Sequence, residues 1–181
     1  MWFDLKKIRK TLQTGLLVWS VFMMPMAFAE EQLLSQEEFL KEAFNQQTPA
    51  LDVLWITKDV GMQAEKILGH KPNQLRQRYW KKDGKTAWVL EEIGKEEPIT
   101  AGFVIEAGKI QAARVLVYRE SRGGEIKYPA FLKQYFGAQL TGSTMLNQPI
   151  DGISGATLSV NAMNRMARLA LMFDSQSREN K

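Results

Sequence analysis

Two turn signals constrain this chain more than anything else in it. Asp83-Gly84 lies between two β-rich runs, Arg76–Lys82 and Lys85–Glu91, and Ala107-Gly108-Lys109 lies between Thr100–Glu106 and Ile110–Arg119. An Asp-Gly pair takes up the positive backbone angles of a tight hairpin turn, so the runs on either side pair antiparallel. The register this sets puts Tyr79 opposite Trp88 and Trp80 opposite Ala87. A cross-strand aromatic pair contributes about 0.2–1 kcal/mol, which accounts for both tryptophans as sheet packing rather than a cofactor box. The run from Ile110 to Tyr118 carries apolar residues at both parities, which predicts a strand at the centre of the sheet.

Helical signals surround these hairpins. Ser35 followed by Glu37 and Glu38 starts a helix to about Gln47, with Phe39, Leu40, Ala43 and Phe44 as its apolar stripe. Val53–Thr57 reads as a short strand and Lys58–Leu68 as a helix stopped by Gly69. Pro129–Phe136 is a further helix. A last one runs from about Ala156 to Phe173, with Ala162, Met163, Met166, Leu169, Ala170 and Phe173 on one face. The methionines suit a core, where their flexible side chains fill gaps. With no repeat and no linker-like tract, the expectation is one α+β domain, an antiparallel sheet with packed helices. The expected divisions are a leader over 1–29, an N-terminal part of the domain over 30–98, its core over 99–173 and a polar tail over 174–181.

Residues 1–29 have the form of a secretory signal peptide. Lys6, Lys7, Arg9 and Lys10 precede an apolar run, Gly15 to Met24; Pro25 breaks it and Ala27-Phe28-Ala29 follows. The expectation is export to the periplasm with cleavage between Ala29 and Glu30. A membrane-spanning helix needs about 20 apolar residues, roughly twice this run. These residues hold four bases and one acid, so the chain's formal charge of +4 falls to about +1 without them. The high pI of 9.3 is therefore no sign of nucleic-acid binding, which needs a clustered basic face. The chain has no cysteine, which excludes disulfides and thiol chemistry. His70, the single histidine, reads as a surface loop residue, so neither a metal site nor a Ser-His-Asp arrangement is expected. Glu91-Glu92 and Glu96-Glu97 read as solvated faces and a turn.

The segment richest in chemistry is Asp151-Gly152-Ile153-Ser154-Gly155-Ala156-Thr157-Leu158-Ser159. A Gly-containing loop opening a helix can aim backbone N–H groups and the helix dipole at an anion. Ser154 as a capping residue, with Thr157 in the first turn, fits an ordinary capped helix equally well. The segment resembles the flavinylation motif of the FMN-binding domain family, which includes the flavin-bearing subunits of the sodium-pumping NADH:quinone oxidoreductase and of Rnf complexes. The family pattern is Asp, two residues, Ser or Thr, Gly, Ala, Thr, and Asp151, Ser154, Gly155, Ala156 and Thr157 match it in full. The resemblance implies FMN joined through its phosphate to Thr157, with Asp151, Gly152, Ser154, Gly155 and Ala156 around the attachment point. It implies as partner a Mg-dependent flavin transferase that makes the bond from FAD. A threonine hydroxyl is a weak nucleophile unaided, so an external activating enzyme is expected.

A second segment, Tyr118 to Ile126, is a charged, Gly-rich turn leaving a strand. It resembles the family's loop near the flavin, with Glu-Ser-Arg-Gly where the larger subunits have Glu-Thr-Pro-Gly. This implies Glu120, Ser121, Gly123 and Gly124 as cofactor-binding residues and a small periplasmic branch of the family. The two segments must then meet, with Glu120 beside the ring or its ribityl chain. The resemblance spans roughly Ile99 to Leu171. No nicotinamide-binding fingerprint is present, so the chain reads as an electron carrier fed by a membrane-bound or periplasmic redox protein. It does not read as a complete enzyme with catalytic residues of its own. Two alternatives stand beside it: a non-redox envelope module binding an anion or peptide through the same loop, and an FMN-dependent reductase of a small substrate.

Overall fold

The computed structural model describes residues 31–142 and 144–179. The expected leader and its cleavage point lie outside the described residues. In chain order the elements are β1 (Glu31–Gln32), α1 (Gln36–Ala43), β2 (Ala50–Trp55), α2 (Lys58–Leu68), β3 (Arg76–Lys82), β4 (Lys85–Ile93), β5 (Pro98–Glu106) and β6 (Lys109–Tyr118). Two short turns of 3-10 helix flank the single-turn α3 (Pro129–Leu132); β7 (Leu140–Thr141) and β8 (Met145–Leu146) follow, and α4 (Thr157–Glu179) closes the chain.

The hairpins form as their turns dictate. Asp83 and Gly84 have φ of 49° and 80°, and Ala107 and Gly108 have 50° and 73°, so each reversal takes two residues. Lys109 pairs with Glu106 and belongs to the strand rather than to the turn. Tyr79 lies opposite Trp88 with stacked rings, centroids 4.4 Å apart and planes within 9°. The result is one antiparallel sheet of six strands in the order β1-β6-β5-β4-β3-β2, α+β and single-domain. Residues from the 30–98 part supply four of its strands, so that part and the 99–173 part share one core.

Local signals placed the first two helices. Ser35 and Glu38 form a reciprocal capping box at the start of α1, and Gly69 closes α2 in the left-handed conformation at φ 83°. α1 stops at Ala43, short of Gln47, because Asn45 and Gln46 turn left-handed at φ 51° and 64°. β2 begins and ends earlier than Val53–Thr57, because Thr57 leaves the strand to cap α2, its hydroxyl accepting from the Val60 amide at 3.4 Å.

Three expectations need correction. β6 is not central: beyond it lies only the two-residue β1. Its apolar residues at both parities are explained by cover on both faces, with Leu116 packed in the α1 cluster and Val115 in the main core. Residues 174–179 of the expected polar tail belong instead to α4, which continues to Glu179 with Asp174 and Ser177 buried. Asp174 accepts from the Thr86 hydroxyl at 2.6 Å and pairs with Arg178 at 3.0 Å, which stabilises its burial. Glu92 is not solvated either. It is 7% exposed, between Arg165 of α4 at 3.0 Å and His70 at 3.2 Å. The Lys71 carbonyl and the Glu92 carboxylate together raise the imidazole of His70 above its ordinary value.

The main core lies between the sheet and α2, α3 and α4, and a smaller one between the opposite face and α1. No helix among the described residues is long and apolar enough to cross a membrane.

Candidate functional site

The motif around Thr157 folds as a loop running into α4. Gly155 is left-handed at φ 80°, the Ala156 amide donates to the Ile153 carbonyl at 3.0 Å, and the helix proper begins at Thr157. This moves the cap. Ala156 occupies the capping position, its carbonyl accepting from Val160 at 3.0 Å, and Ser154 sits outside in an exposed turn. Ala156 has no side-chain acceptor to offer. The amides of Thr157, Leu158 and Ser159 therefore find no acceptor among the described residues. Free first-turn amides at the positive end of a long helix dipole are suited to an anion. Thr157 is exposed, and its hydroxyl makes no hydrogen bond to the described residues.

The loop leaving β6 comes to meet this helix end. A cleft of about 470 Å³ is walled on one side by Gly155, Ala156 and Thr157 and on the other by Glu120, Ser121 and Arg122. That volume is in the range of small-molecule sites. Gly123 shows why the approach is so close. It is left-handed at φ 80°, and a Cβ there would lie 2.8 Å from the Cβ of Ala156. The Tyr118 hydroxyl donates to the Arg122 carbonyl and fixes the loop to the end of its strand. Gly123→Ala should therefore cost about 1–3 kcal/mol in urea unfolding, combining left-handed strain with a contact that cannot relax cheaply. An unchanged midpoint would show that the loop does not rest on Ala156.

Glu120 lines the cleft, but one of its oxygens is already engaged. Its Oε1 accepts from the backbone amides of Lys95, Glu96 and Glu97, the last two at 2.8 and 3.2 Å. These residues form the turn between β4 and β5, and Gly94 lets the turn close down, because a Cβ there would lie 2.7 Å from that same oxygen. Glu120 therefore holds the 94–97 turn, which brings Lys95 and Glu96 onto the cleft wall. A carboxylate accepting several amides is worth more than a neutral acceptor. Glu120→Gln should lower stability by about 1–2 kcal/mol, read as a urea midpoint; a neutral effect would mean the clamp is not formed in solution.

Of the residues singled out in the sequence, Thr157, Gly155, Ala156, Glu120 and Ser121 line this cleft, and Gly123 abuts it through Ala156. Asp151, Gly152, Ser154 and Gly124 are not on its wall. Asp151 and Ser154 are exposed, the Asp151 amide donates to Gln134 at 2.7 Å, and Gly124 packs toward Lys127. Lys95, Glu96, Arg122, Leu158 and Ser159 complete the wall, unselected by sequence reasoning. Gly94 ahead of a charged turn was the one available signal for the first two. Among the described residues no group of three or more His, Asp or Glu side chains is placed to hold a metal ion.

Comparison with known proteins agrees with this geometry. Residues 94–172 match the FMN-binding domain family. The match begins at Gly94, so it takes in the turn that Glu120 holds. The crystal structure of Shewanella oneidensis NqrC superposes with a TM-score of 0.55 at 14% sequence identity, over 80% of this chain and 90% of that one. No curated protein matches the chain. The family match thus covers residues 94–172, and the likeness to NqrC extends the shared fold beyond them.

Proposed function

We propose that this protein binds FMN, carries it as a phosphoester on Thr157 and serves as an exported electron carrier. The observation that carries the reading is the state of Thr157: an exposed hydroxyl without a partner, beside three free amides, on the wall of a cleft the size of a ligand. The residues fit the group. Thr157 would supply the ester oxygen, the first-turn amides would take the phosphate oxygens, and Arg122 on the opposite wall would offset its charge, Lys95 being paired with Glu96 at 2.8 Å. The flavin, when bound, supplies one- and two-electron chemistry, and the chain supplies position and field.

Asp151 and Ser154 suit a different role. They are exposed and face away from the work of packing, so they remain available to the transferase that installs the flavin. In that reaction the Thr157 hydroxyl would lose its proton and its oxygen would displace AMP from the FMN phosphorus of FAD. A covalent link also suits an exported protein, since a dissociated cofactor would not be replaced outside the cytoplasm. Export rests on the form of residues 1–29, and a membrane-bound or periplasmic redox partner follows from the lack of a dinucleotide-binding fingerprint.

The test is co-expression with a flavin transferase, followed by precipitation of the protein under denaturing conditions. Flavin absorbance that stays with the pellet supports the reading. A colourless protein would favour a non-redox binding module using the same cleft.

A further inference from the structure

A second cleft, of about 520 Å³, lies farther along α4, between that helix and the segment through β8. Its walls include Arg165, Arg168, Asn161 and Asn164, with Leu146 and Ile150 as apolar surface and no acidic side chain among the described residues. The accounting of donors is uneven. Arg165 spends Nε and Nη2 on Glu92 and on the Ile93 carbonyl, leaving Nη1. Arg168 spends Nε on the Asn164 carbonyl and Nη1 on the Thr144 carbonyl, leaving Nη2. Asn164 accepts from the Tyr135 hydroxyl at 2.7 Å, which leaves its amide N–H groups free, and the side chain of Asn161 makes no hydrogen bond to the described residues.

Charge is uneven as well. The charge of Arg165 is met by Glu92. Arg168 is partly buried and meets two neutral carbonyls, with no carboxylate within salt-bridge range among the described residues. Burial and the neighbouring Arg165 both lower its pKa, the mark of a cation whose solvation is not replaced. A half-buried arginine in a cleft without acids is stabilised by an anion and costs free energy without one.

We propose that this cleft is a binding site for an organic anion, a carboxylate or phosphate head on an apolar body. Arg168 and Arg165 would hold the head with Asn161 and Asn164 beside it, and Leu146 and Ile150 would take the body. The site is separate from the Thr157 cleft, which ends at Ser159, whereas this one begins at Asn161. Arg165 lies about 12 Å along the helix from Thr157 at 1.5 Å per residue. The same donors could be met by a free ligand or by the ring of a flavin tethered at Thr157, whose pyrimidine carbonyls would accept in place of the anion's oxygens. The inference rests on the cleft alone and not on Thr157 carrying flavin.

Phenyl phosphate is a suitable probe, titrated calorimetrically at constant ionic strength into the purified full chain made without and with a flavin transferase. Saturable binding is expected to the flavin-free chain, weakened about tenfold or more by Arg168→Gln. Asn161→Asp should weaken it similarly by placing a negative charge in the cleft, and, being exposed and unbonded, should leave thermal unfolding unchanged. Binding to both forms of the chain identifies a free anion as the ligand; binding only to the flavin-free form identifies the tethered flavin's ring as the occupant of the cleft. No saturable binding, or binding that neither substitution alters, would overturn the proposal.

Discussion

Trp88→Ala is expected to destabilise the protein by about 3–5 kcal/mol, the cost of deleting a large aromatic side chain from a closed core. Trp88 is wholly buried, stacked on Tyr79 and 5.7 Å from the ring of Phe173. The strands that pair around it and the carboxyl half of α4 leave little freedom to collapse into the space. Its indole N–H donates to Thr86 Oγ1 at 2.9 Å, and Thr86 donates in turn to Asp174. Trp88→Phe keeps most of the ring and loses one donor, so it should cost distinctly less, on the order of 1–2 kcal/mol. Equilibrium urea unfolding followed by circular dichroism would measure both. Equal losses for Ala and Phe would mean that the hydrogen bond, not the ring, carries the effect.

Thr157→Ala has the largest expected functional effect and almost no structural one. The substitution removes an exposed hydroxyl that no described residue uses, at the first position of a helix where Ala is well tolerated. Stability should move by less than about 0.5 kcal/mol, as for other surface substitutions. Covalent flavin should vanish completely, because an ester cannot form without its oxygen. Phe173 is sixteen residues along α4 from Thr157, about 24 Å at the helical rise. Trp88→Phe, damaging the far end of the helix, should therefore still be flavinylated in full. That contrast separates loss of the acceptor from loss of the fold.

What the sequence could disclose follows the range of the interactions. The hairpins at Asp83-Gly84 and Ala107-Gly108, the α1 capping box and the Gly69 stop are decided within a few residues, and each formed where its signal lay. The edgeward position of β6 depends on β1, a two-residue pairing with a segment more than eighty positions earlier. No local pattern carries that. Glu92 and Asp174 looked solvated because acids usually are, and were drawn inside by partners 73 and 88 residues away. The meeting of the 120–123 loop with Thr157 was legible, since each segment bore its own chemical signature. The use of Glu120 as a clamp on the 94–97 turn was not, because a carboxylate that holds amides looks in sequence like one that faces a ligand. The second cleft was hidden for a similar reason: Asn161, Asn164, Arg165 and Arg168 lie off the apolar face of α4, and only the fold brings β8 beside them.

The central claim is chemical, that Thr157 bears the flavin. It is tested most directly by the intact mass of the protein co-expressed with a flavin transferase, followed by fragmentation of the peptide containing residues 151–165. The account predicts a single FMN addition that survives denaturation and maps to Thr157, absent from Thr157→Ala. An unmodified mass, or an addition retained by Thr157→Ala, would contradict it.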